Sequence, residues 1–144
     1  MAVLALTHGP DSFQPIDAVG HAPMRASCFY NREVQSWELD RLRIAAHHPQ
    51  ILRSDDDANR VIALLLPQGE LLQEHQVHEH ALVFVLRGEL LVSAGASERA
   101  LSAPSLIHFN PGERHEVRAI TECQLVLCLA PWPGPGHPSR PATA

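Results

Sequence analysis

The chain has 144 residues, enough for one domain with its own core and hardly enough for two. The net charge is −5 and no run of Lys or Arg occurs, so neither nucleic acid nor an anionic membrane surface is an expected partner. The apolar runs are far too short to span a membrane, Met1–Leu6 lacks the flank and length of a signal peptide, and three scattered cysteines (Cys28, Cys123, Cys128) suit a reducing cytoplasm.

In chain order, residues 1–31 mix Pro, Gly and single hydrophobics without a sustained period. They read as an irregular N-terminal arm that Phe13, Ile16, Phe29 and Tyr30 would pin to a surface. From Arg32 to Ala46 the residues Val34, Trp37, Ile44 and Ala45 fall near a helical stripe, with Asn31 as N-cap and Pro49 as a stop. The pattern predicts a short helix, ended by His47-His48. Ser54 to Asn59 is a polar turn. Strands are predicted at Val61–Leu66, Ala81–Leu86, Leu90–Ser93, Leu106–Phe109, Glu116–Ile120 and Gln124–Leu129. The turns between them include Pro67-Gln68-Gly69, Arg87-Gly88-Glu89, Ala94-Gly95-Ala96-Ser97 and Asn110-Pro111-Gly112-Glu113. Short strands at this spacing indicate an all-β sandwich or barrel. The segment 131–144 is Pro-rich and is expected to stay out of any sheet as a flexible tail, so that deleting His137 to Ala144 changes nothing.

Ten histidines are unusual for this length, and five lie between His75 and His115. Neutral imidazole is a common ligand for borderline transition metals. Residues two apart on a strand face one side, which suits His78 and His80, whereas His75 joins them only if a bulge reverses parity once. His115 arrives from a later strand, after a Pro-Gly turn. A metal site from His75, His78, His80 and His115 is therefore expected. Of the neighbours, His108 reads as a satisfied core histidine, Glu79 as a solvated partner for an arginine, and Cys123 and Cys128 as core thiols.

Here the chain resembles the cupin family, in size its small single-domain, RmlC-like members. Gly69, five residues and His75 match the opening of the first cupin motif, and Phe84-Val85-Leu86-Arg87-Gly88-Glu89 resembles its close. Gly112-x-x-His115 resembles the end of the second motif. The resemblance runs from Val61 to Leu129. It implies a double-stranded β-helix, a jelly roll of about eight strands, with the arm and short helix outside it. The runner-up fold is a helix-decorated open sandwich. Domain limits follow: an arm at 1–31, a cupin domain with its leading helix at 32–130, and the tail.

The chain also departs from the family pattern. The second and third ligand positions fall on Val77 and Ala81, which cannot bind metal, and Asn110 and Ala119 replace a proline and an asparagine of the second motif. His75 and His115 carry over; His78 and His80 each lie one residue off, so a bulge would bring one or the other inward. The cofactor implied is a divalent transition metal (Fe, Mn, Ni or Zn). The function implied is a metal-binding cupin, a dioxygenase or lyase acting on a small carboxylate or enol, with an anionic small-molecule ligand. The alternative is a non-catalytic small-ligand-binding or sensor cupin, with or without metal. An epimerase-like cupin would want a His and Tyr pair, and Tyr30 is the only tyrosine. Apolar residues on both faces of Val61–Leu66 and Ala81–Leu86 point to a homodimer.

Overall fold

A computed structural model describes residues 33–140. The chain divides into two compact units, residues 1–36 and 37–144, and the second carries every element named below. The expectations for the arm, for Cys28 and for residues 141–144 fall outside the described residues.

Nine strands form in order: β1 (Gln50–Ser54), β2 (Ala58–Leu66), β3 (Leu71–His75), β4 (His80–Arg87), β5 (Glu89–Ala94), β6 (Ser97–Ser102), β7 (Ser105–Phe109), β8 (His115–Ala119) and β9 (Cys123–Trp132). They make a five-stranded sheet, β1-β2-β9-β4-β7, and a four-stranded sheet, β3-β8-β5-β6. The pairings are antiparallel, and the architecture is the expected jelly roll.

Period-two alternation builds the interior. On β4, Ala81, Val83 and Val85 are buried while Phe84 is exposed. These three join Cys123, Leu125 and Leu129 of β9, Leu90 and Val92 of β5, Val117 and Ala119 of β8, and Phe109 of β7 in one cluster between the sheets. The β4–β5 turn needs glycine for two reasons. Gly88 has φ +88°, and a Cβ there would lie 2.2 Å from the Glu122 carbonyl oxygen.

The predicted helix from Arg32 to Ala46 does not form. Only a 3₁₀ turn at Leu39–Arg41 is present among the described residues. The carbonyls that a helix would use are taken by the sheet: the Gln124 side-chain amide donates to Leu39 O at 2.9 Å and Arg87 to Asp40 O at 2.7 Å. Leu42, Ile44 and Ala46 are half-buried and alternate with exposed neighbours, a period of two that the sequence disguised as a helical stripe.

The loose tail also needs correction. Pro131 and Trp132 belong to β9, where Trp132 pairs with Ala58 and lies 4.5 Å beneath the Arg60 guanidinium. Residues 133–140 follow as successive turns, closed by His137 N donating to Gly134 O (3.0 Å) and Arg140 N to His137 O (2.9 Å). Proline bars a residue from donating to a ladder but not from lying in one.

Candidate functional site

His75 ends β3 and His115 begins β8, and the two face each other in the ladder. A register shift between Leu72 and His75 makes this possible. Leu72 packs on the core and pairs with Val117; three residues on, His75 would point the other way were the strand regular. The bulge lies upstream of His75, not between His75 and the later histidines, where the expected convergence with His78 and His80 needed it. It sets His75, exposed at the strand end, opposite buried His115, while His78 and His80 lie apart from them.

The two rings lie 4.4 Å apart between centroids, and Phe109 stacks on His115 at 3.7 Å with 7° between planes. Each imidazole is fixed by its own backbone: Nδ1 of His75 donates to Gln73 O (2.8 Å) and Nδ1 of His115 to Glu113 O (2.9 Å). A carbonyl only accepts, so Nδ1 carries the proton and each neutral ring keeps its Nε2 lone pair free. Metal-ligating histidines are oriented by this same kind of backbone contact. Burial holds the His115 pKa below its usual value, and the nearby His75 acts in the same sense, against the raising influence of the Glu113 carbonyl and charge.

The other expected ligands lie elsewhere. His78 sits in the loop before β4 and meets His137 edge-on at 5.9 Å. His80 stands opposite in parity to buried Ala81 and stacks on His108, 5.3 Å between centroids. His108 is therefore exposed on the outer face, not a core histidine. Val77 packs against the core, and its carbonyl accepts from Gly112 N at 2.8 Å, so the second-motif glycine ties that loop down. Among the described residues, no three His, Cys, Asp or Glu side chains gather as a metal-holding group.

Glu79 was the residue the sequence misplaced most. It is 1% exposed and accepts a hydrogen bond from Gly134 N at 2.7 Å. Its signal was parity: it lies two residues before buried Ala81, on the inward side. A cleft of about 460 Å³ lies away from the histidines, where Leu42 and Ile44 cross Leu65, Arg87 and Gln124.

Two sheets closed around one apolar interior, with facing histidines at paired strand ends, define the cupin class of β-barrel. The sequence model of the cupin domain matches residues 62–130, and the chain belongs to the cupin family over that span. Among curated proteins, none matches the sequence. The fold is similar to that of a cupin superfamily protein from Desulfitobacterium hafniense (TM-score 0.56, 11% identity, 69% of this chain and 90% of that one). It is similar as well to the Cnp3 cupin domain of Schizosaccharomyces pombe (TM-score 0.60, 13% identity, 67% and 73%). An RmlC-like cupin from Shewanella frigidimarina matches in the same way (TM-score 0.57, 17% identity, 67% and 89%). Among the described residues, no helix is long and apolar enough to cross a membrane.

Proposed function

We propose that the protein is a metal-binding cupin that takes a small carboxylate or enolate inside its barrel, with His75 and His115 as the protein's metal donors. The observation that carries this reading is the pair of facing imidazoles, His115 buried and His75 exposed beside it, each with Nδ1 on a backbone carbonyl and Nε2 free. This donor set fits a divalent transition metal at two coordination positions and no more, since Val77 and Ala81 supply nothing. A metal there would supply Lewis acidity or a dioxygen site. With two neutral imidazoles the ion keeps a charge of about +2, which favours an anion in the open positions. His75 and His115 position that anion, and Phe109 shields the His115 face from water.

The same count of donors supports a second reading, a non-catalytic ligand-binding module of this fold. One titration addresses both. Co²⁺ binding to untagged protein should tighten tenfold or more with oxalate present, and His115→Ala should abolish that gain. Tightening that persists in His115→Ala would place the anion elsewhere. Turnover of carboxylate or enol substrates under dioxygen then separates an enzyme from a binding module.

We also propose a homodimer formed through the outer face of the five-stranded sheet. Phe84 and Leu106 pair there and are 38% and 57% exposed, an apolar set that water covers at a cost. Light scattering at micromolar concentration should give twice the chain mass, and Leu106→Glu should return it to one.

A further inference from the structure

We propose that His80 and His108 form a separate metal-binding site, a surface chelate for a borderline divalent ion such as Cu²⁺. It lies on the outer face of the five-stranded sheet, toward the start of β4 and the end of β7 and so beyond the Phe84 and Leu106 patch, and is independent of the His75 and His115 pair.

The backbone register builds it. β4 and β7 pair with Leu82 opposite His108, so His80 is the diagonal neighbour of His108 on the same face. Diagonal positions are within reach of long side chains. The anchoring residues on either side, Ala81 and Phe109, are 2% exposed, which holds both strands in place while both imidazoles stay accessible.

The ring nitrogens meet the requirement of a chelate. His80 Nδ1 lies 3.1 Å from His108 Nε2. Metal–imidazole bonds are about 2.0–2.1 Å, so this separation subtends roughly 100° at a shared ion, between the octahedral and tetrahedral values. The rings are nearly parallel, at 14°. Each must swing by roughly 40° for its lone pair to aim at the ion, a motion that the broad χ2 torsion of histidine permits. Without metal, one nitrogen carries the proton that bridges the pair. When an ion takes its place, that ring moves the proton to its other nitrogen, and two neutral imidazoles coordinate with no net proton lost. Affinity among divalent ions should follow their general order, with Cu²⁺ above Ni²⁺ and Zn²⁺. Nitrogen donors also select against Mg²⁺ and Ca²⁺, which prefer oxygen.

The test is a Cu²⁺ titration of untagged full-length protein, read by calorimetry and by paramagnetic broadening of backbone amide signals. Cu²⁺ should broaden the amides at the start of β4 and the end of β7 at low occupancy. His108→Ala and His80→Ala should each weaken binding at that location tenfold or more. His108→Gln, which keeps a polar side chain at an exposed position, should weaken it as much. A His75→Ala/His115→Ala double variant should keep the site intact, so loss of that pair and loss of this one read differently. Unchanged Cu²⁺ affinity and broadening in His108→Ala, or broadening that appears only around other histidines, would overturn the proposal.

Discussion

Burial draws His115 and Cys123 out of water and moves their protons in opposite senses. The imidazole pKa falls, because its charged form is the cation. The Cys123 thiol pKa rises, chiefly by burial and then by the charges of Glu122 and Glu89, because its charged form is the anion. A thiol raised in the folded state contributes stability that is fully present below the unfolded pKa and is lost as pH climbs through the folded one. The chain has no lysine, so few other groups titrate in that range. The melting temperature should therefore fall as pH rises above 9.0, less steeply in Cys123→Ala than in the parent chain. Native Cys123, fully buried with its Sγ on the Glu89 carbonyl, should also resist iodoacetamide at pH 8. Rapid native alkylation at Cys123 would contradict this burial. At this scale the sequence marked His75 and His115 through motif spacing. It did not mark the partners of His78 and His80, since His137 and His108 come to them from distant strands and turns.

Among the elements, the strands missed from sequence are β1, β3 and β6, and all three are sheet edges. An edge strand has one ladder partner and more water, so its residues, such as Ser97-Glu98-Arg99 in β6, carry no strong apolar alternation. Central strands such as β4 and β9 bury an inner face against the core and stand out as apolar runs. The false helix at 32–46 arose where two periods overlap over few apolar residues, and side chains of the sheet decided between them. Gly88 was legible as a turn, but its close approach to Glu122 was not. Gly88→Ala should destabilise by more than the ~1–2 kcal/mol of left-handed backbone strain alone, because the Glu122 backbone must move. Gly112, with φ +75° and no atom within 4 Å of a would-be Cβ, should cost only that strain as Gly112→Ala. Chemical denaturation of the two variants compares them directly, and equal losses would show that the Glu122 contact yields freely.

At the scale of the whole molecule, the segment after β9 fastens onto the loop that precedes β4. Gly134 donates to Glu79, and a Cβ on Gly134 would lie 2.5 Å from the His78 carbonyl oxygen. His137 packs edge-on against both His78 and Trp132. Gly134→Ala should therefore lift the strap, with a stability loss of about 1 kcal/mol, the net worth of a hydrogen bond exchanged for water. Limited proteolysis should then cut within residues 133–140, where the parent chain resists. A variant as resistant as the parent would show that the strap does not depend on this contact.

The strand order β1-β2-β9-β4-β7 sets a constraint on timing. β9 is the last of the nine described strands in sequence, yet it lies between β2 and β4 and pairs with both. A nascent chain emerging from the ribosome can pair β5 with β6 or β4 with β7 early, but β2 stays without its inner neighbour until residues 123–132 are out. The larger sheet thus closes only once β9 has emerged. Until then the apolar edges of β2 and β4 are open to other chains, the exposure that makes non-local β topologies slow to fold and prone to aggregate.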